Sequence, residues 1–186
     1  MNKVTLIILF FISFGLQIQA QGYIYRKSSS SAEQTEYLLL GSLPKPTKAS
    51  AQKLKVKIWG GTTTNSGLGE STYTFSTRDG IKGNMYREGG YHNQSENNNV
   101  KIFESSNSID FVLEITPQWA IFHIESILMQ DHGTNEIIKA EQVEIKKYDT
   151  TAKTDITSTN PIAVFSATDK AGNIGLGKDN PQAKLE

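Results

Sequence analysis

With 186 residues, no cysteine and 19 basic against 19 acidic side chains, the chain has room for one domain with appendages and carries no disulfides. The even charge balance excludes a nucleic-acid binder driven by a basic field. Only 37% of the residues are hydrophobic, so an adequate core requires a largely β chain whose strands keep one face wet.

Residues 1 to 20 read as a secretory signal. Lys3 supplies a positive start, Val4 to Leu16 is a nearly unbroken apolar run, and Ala20 offers a small residue ahead of Gln21. The run is shorter than the roughly 20 apolar residues of a membrane span. The expectation is a secreted or cell-surface protein with no membrane span after signal cleavage. Residues 21 to 34 form an extended arm, with Tyr23 to Lys27 leading into the serines at 28 to 31.

Residues 35 to 148 alternate as strands. Thr35 to Leu43 carries Leu38, Leu39 and Leu40 and is broken by Pro44 and Pro46. In Lys53 to Trp59, Leu54, Val56 and Ile58 share one face and Lys53, Lys55 and Lys57 the other, a half-buried strand with a solvated lysine row. Ser71 to Thr77 alternates through Tyr73 and Phe75. Tyr86 to Asn99, with Gly89-Gly90 and its asparagines, reads as a long surface loop.

Three strands follow, Val100 to Ser105, Ile109 to Ile115 and Trp119 to Met129, and the turn Thr116-Pro-Gln118 makes the last two the core hairpin. Phe111, Leu113 and Ile115 share a face, as do Ala120, Phe122 and Ile124, with His123 opposite and half exposed. Glu136 to Tyr148 gives one or two further strands. Residues 149 to 160 are rich in Thr, Ser and Asp and read as a linker. Residues 161 to 186 then offer two short strands, a fragment marginal in water without a partner.

The last fifteen residues run Gly172-Asn-Ile-Gly-Leu-Gly-Lys-Asp-Asn-Pro-Gln-Ala-Lys-Leu-Glu186. This stretch resembles the G-N-(I/V)-G-I-G-T-x-x-P-x-A-K-L motif of phage tail-fibre-like proteins and secreted bacterial trimeric fibre proteins. Gly172, Asn173, Ile174, Gly175, Gly177, Pro181, Ala183, Lys184 and Leu185 fall on the pattern, while Leu176 and Lys178 depart from it. The resemblance implies a homotrimer whose shaft begins at 161 to 186. The expected fold is all-β, an antiparallel jelly-roll-like β-sandwich followed by a short β-hairpin of a fibre shaft.

No catalytic constellation emerges. His92, His123 and His132 lack the close spacing of a metal site, and no serine sits in a G-x-S-x-G elbow. Gly172-x-x-Gly175-x-Gly177 opens no helix and so builds no phosphate cradle. Glu104, Asp110, Glu114 and Glu125 read as a solvated sheet face. At roughly 3.3 Å per residue Asp110 and Glu114 stand about 13 Å apart, beyond the spacing of a glycosidase pair. No enzyme activity, cofactor or metal is expected.

Flat rings beside hydrogen-bonding side chains suit sugars, and Tyr86, Arg87, Tyr91, His92 and Asn93 meet that description, with Trp59 just before a turn. The expected function is a non-enzymatic secreted fibre or adhesin subunit, a homotrimer presenting a binding domain to a cell-surface glycan and not to nucleic acid. The alternative is a monomeric carbohydrate-binding module of a larger secreted protein.

Overall fold

The computed structural model describes residues 22–27, 34–62, 69–88, 99–115, 120–131, 137–166 and 175–176. In chain order the strands are β1 (Tyr23–Lys27), β2 (Glu36–Pro44), β3 (Gln52–Thr62), β4 (Glu70–Ser76), β5 (Lys82–Glu88), β6 (Asn99–Glu104) and β7 (Ser108–Ile115). They continue with β8 (Ala120–Asp131), β9 (Ile137–Gln142), β10 (Lys146–Lys147), β11 (Thr154–Asp155), β12 (Ala163–Ser166) and β13 (Gly175–Leu176). A 3-10 turn, Thr157–Thr159, precedes β12, and no α-helix occurs among the described residues.

The strands form two sheets. One runs β1-β8-β3-β4-β5-β12-β13, with β9 sharing the far edge of β8 with β1; the other runs β10-β2-β7-β6-β11. Every strand pair is antiparallel except β5 with β12, which is parallel. The fold is the all-β sandwich expected from the alternation.

Period two explains the core directly. Leu54, Val56 and Ile58 of β3, Tyr73 and Phe75 of β4, and Phe122 and Ile124 of β8 are buried against Leu38 and Leu40 of β2, Ile102 of β6 and Phe111 and Leu113 of β7. Across the sandwich Phe75 stacks on Phe111, with ring centroids 4.1 Å apart and planes 21° from parallel. Nearby, the Ser126 hydroxyl of one sheet donates to the Leu40 carbonyl of the other at 2.6 Å. That carbonyl lies at the register shift between Leu39 and Gly41, where the ladder is interrupted.

Three expectations are corrected. First, β7 and β8 do not pair. β7 lies between β2 and β6 in one sheet, β8 joins β1, β3 and β9 in the other, and the chain crosses between sheets after Ile115. β7 buries Asp110 and Val112 as well as Ile109, Phe111, Leu113 and Ile115, which requires a central strand covered on both faces. Second, Tyr86 and Arg87 belong to β5, not to a loop.

Third, residues 149–160, expected as a linker, are laid along β6. Thr154 and Asp155 pair with Glu104 and Phe103, the Ile156 amide donates to the Ile102 carbonyl at 2.9 Å, and the Ile102 amide donates to the Thr157 hydroxyl at 2.9 Å. Composition hides this path because hydrogen bonds hold it, with little apolar burial beyond Ile156. The same segment closes the outer face of the five-stranded sheet. Tyr148 packs on Phe103 at 5.5 Å, Tyr37 meets Phe103 edge-on at 6.2 Å, and Phe103 and Val112 are buried.

The strands read in 161 to 186 pair antiparallel as β12 and β13, through Phe165 with Leu176. β12 does not stand apart from the sandwich. Ala163 to Ser166 extend its larger sheet beside Asn84 to Arg87.

Phe111→Ala is expected to lower the unfolding free energy by about 3–5 kcal/mol, the usual cost of deleting a buried ring. Chemical denaturation checks it; an unchanged midpoint would mean that the Phe75–Phe111 stack does not hold the sheets together.

Candidate functional site

Because Tyr37, Phe103 and Tyr148 pack on one another over the five-stranded sheet, the exposed apolar surface lies on the outer face of the eight-stranded one. Strand register arranges it in rows. Ile24, His123, Trp59 and Glu70 form one row across β1, β8, β3 and β4. Glu125, Lys57, Thr72, Tyr86 and Phe165 form the next, across β8, β3, β4, β5 and β12. Ile127, Lys55, Thr74, Asn84 and Ala163 form the third. Among the described residues the large hydrophobic side chains that are exposed, Ile24, Tyr86, Ile121, Ile127 and Phe165, all lie on this face.

Two aromatic centres dominate it. Tyr86 and Phe165 stack at 5.5 Å with planes 14° from parallel, and remain 41% and 39% exposed. Trp59 packs at 5.0 Å on His123, and the Lys57 ammonium sits 5.1 Å above the indole while pairing with Glu70 at 3.0 Å. Burial raises the affinity of the Glu70 carboxyl for a proton. The Lys57 contact and hydrogen bonds from Thr72 and Trp59 outweigh it and hold the group below its ordinary value, so it is an anion at neutral pH.

Gly60 is what lets β3 continue past Trp59. Its φ of +97° favours glycine, and a Cβ there would stand 2.1 Å from the Ile121 carbonyl oxygen. From strand spacing and rise, Trp59 and Tyr86 lie about 10 Å apart across the sheet and about 7 Å along it. The platform is therefore wider than one small ring.

The structure brings together two of the residues expected to bind ligand, Trp59 and Tyr86. Arg87 is turned away, since alternation along β5 sends it to the opposite face. It is 7% exposed, its Nε donates to Ser71 Oγ at 3.3 Å, and its Nη2 lies 3.9 Å from Met85 Sδ. Tyr91, His92 and Asn93 lie outside the described residues, as do Gly172, Asn173, Ile174, Gly177, Pro181 and Leu185; Gly175 is the first residue of β13. Phe165 was missed. The short apolar run Ile162-Ala-Val-Phe165 is its only signal, and nothing local shows that β12 lands beside β5.

The acids read as a solvated face have separate fates. Glu104 pairs with Lys45 at 2.7 Å and Glu114 with Lys101 at 3.4 Å. Asp110 is 4% exposed, and this corrects the solvated reading. Ser42 and Ser108 donate to its Oδ1 at 2.7 and 2.8 Å, and Tyr148 donates to Oδ2 at 2.8 Å. Ser105 also donates to Oδ2, and Lys153 Nζ donates to Ser105 Oγ at 2.9 Å. Burial alone would raise the Asp110 pKa, but these hydroxyls hold it below the usual carboxylate range. The Tyr148 phenol is pushed well above its ordinary value by burial and by its bond to Asp110.

This cluster is a clamp between chain segments. Its carboxylate is buried, while the donors around it range from buried Ser105 to exposed Ser42. Among the described residues no group of three or more His, Asp or Glu side chains is placed to hold a metal ion, and no helix is long and apolar enough to cross a membrane.

No protein-family model and no curated protein matches the chain. Among solved structures, the chain is similar to that of WceF of Pantoea stewartii, described as a glycan biofilm modifying enzyme with a bacteriophage tailspike-like parallel beta-helix fold. The likeness has a TM-score of 0.43 and 10% sequence identity, and covers 92% of this chain and 26% of that one. This chain thus spans about a quarter of that protein's length, and a likeness so slight has no bearing on function.

Because its folded pKa is lowered, Asp110 contributes stability above the ordinary carboxylate value of about 4, and loses it as pH falls through the lower folded value. Asp110→Ala is expected to cost about 3 kcal/mol at pH 7, where it removes the shared acceptor of four hydroxyls and leaves that of buried Ser105 without it, and less toward pH 2. Urea titrations of both proteins across that range check it; a difference independent of pH would refute the ionised clamp.

Proposed function

We propose that the chain is a non-enzymatic, exported surface-binding subunit whose eight-stranded sheet holds a glycan on its outer face. The observation that carries the reading is the exposed Tyr86–Phe165 stack in register with Thr72 and Lys57 and one row from Trp59. Exposed parallel rings give sugar rings an apolar platform. Thr72 lies between the aromatic centres, Thr74 and Asn84 lie one row beyond the stack, and the three supply donors and acceptors for hydroxyl groups. A monomeric protein rarely leaves apolar groups gathered on one face without a partner for them.

Export is supported by the apolar run behind Lys3, and assembly into a trimeric fibre by the resemblance of Gly172 to Leu185 to fibre-shaft motifs. A closed threefold arrangement would give the β12–β13 pair the burial it lacks alone. The monomeric carbohydrate-binding module uses the same face and differs in lacking self-association.

A glycan array of the purified chain tests the binding reading. Tyr86→Ala and Phe165→Ala are each expected to weaken binding about tenfold, since an aromatic platform contributes on the order of 1 kcal/mol beyond its area. Because both rings are partly exposed, the melting temperature should stay within a few degrees. Binding unaffected by either change would remove the platform from the site. Light scattering of the same sample should give three times the chain mass; a monomer at high concentration would leave the single-module reading.

A further inference from the structure

Resting on that reading of the outer sheet face, we infer that the glycan is acidic, bearing carboxylate, sulfate or phosphate groups on its sugars. The face is electrically divided along the strands. At the end near Trp59, Lys57 is neutralised by Glu70, so the sugar there meets rings and hydroxyls with little net charge. Toward the other end of β3, β4 and β5 the outward positions are Lys55, Thr74 and Asn84, then Lys53, Ser76 and Lys82. No acidic side chain occurs among these six.

Lys55 and Lys82 are exposed, and neither forms an ion pair with an acid among the described residues. They lie about 10 Å apart across the sheet and about 7 Å along it, on the two sides of Thr74 and Ser76. Lys53, which has contacts of its own, adds its charge to the same end. The Tyr86–Phe165 stack begins one row away from Asn84. A chain that laid one sugar on the stack and the next over Thr74 would carry its acidic substituents to Lys55 and Lys82.

The charge pattern favours a glycan over single-stranded nucleic acid. Nucleic-acid affinity grows with the number of phosphates neutralised, and here the basic groups of the face are few: Lys53, Lys55 and Lys82 lie at one end, Lys57 is paired with Glu70, and Arg26 lies beside Ile121 at the other end, on a chain with no net charge. The hydroxyl and amide side chains between them match a ligand rich in hydroxyls.

The test uses the whole exported chain on immobilised uronate, sulfated and phosphorylated glycans and on neutral glycans of matched backbone, with single-stranded DNA as a further arm. The expected result is preference for acidic glycans, weakened severalfold between low and high salt, and weakened roughly fivefold in Lys55→Gln/Lys82→Gln, where two exposed charge contacts are lost. Lys55→Glu/Lys82→Glu should weaken acidic binding further while leaving any neutral binding unchanged. Binding to neutral glycans alone, or unaltered acidic binding in both variants, overturns the acidic assignment and leaves the glycan face intact. Lysine-dependent binding to single-stranded DNA without glycan binding overturns both, as does a lack of binding to every glycan tested.

Discussion

A carboxylate withdrawn from water must be surrounded by donors, and much of this molecule's path follows from that demand at Asp110. A buried charge costs several kcal/mol unless paired or hydrogen-bonded. Here the donors come from β2, from the turn between β6 and β7, from the start of β7 and from the chain beyond β10. Meeting the need brings Tyr148 over the outer face of the five-stranded sheet, and Lys153 follows through Ser105. From there the chain can pair along β6 and reach the open edge of β5. The placement of Phe165 beside Tyr86 thus begins at a carboxylate on the other sheet.

The two outer faces consequently have opposite characters. On the five-stranded sheet, Tyr37, Phe103 and Tyr148 pack on one another beneath the returning chain and form a second small apolar cluster. On the eight-stranded sheet the aromatic side chains remain in contact with solvent. Rings are used on both sides, but covering chain turns one set into core and leaves the other as surface. Trp59 combines the two roles, anchored by His123 and Lys57 and half exposed.

What the amino-acid order reveals is whatever depends on neighbours two positions apart. The strands of Lys53 to Trp59, Ser71 to Thr77 and Trp119 to Met129 follow from alternation, and so does the half-exposed position of His123. Pairing between distant strands leaves no such trace. Thr116-Pro-Gln118 reads as a hairpin turn, yet the strands on its two sides, β7 and β8, belong to different sheets, because a short segment with turn residues suits either connection. The asparagine-rich stretch that follows makes Arg87 read as loop; because β5 continues to Glu88, strand alternation instead turns its side chain inward. Asp110 looked like an ordinary outward acid, since nothing near it in sequence announces that Tyr148 will cover it. Residues 149 to 160 looked unstructured because polar composition does not show which backbone groups find partners.

The parallel junction of β5 and β12 also sets an order in time. Asn84 and Ala163 are neighbours in space yet separated by most of the sandwich in sequence, and contacts of that kind form late because their loop must close first. During synthesis Tyr86 exists well before Phe165, and its stacked partner arrives when the remaining strands are in place. A ligand seated on both rings binds the docked form of β12 and not the undocked one. By mass action it therefore holds the C-terminal segment against the sandwich. Recognition on the sheet face and attachment of whatever follows β12 are, in that sense, one equilibrium.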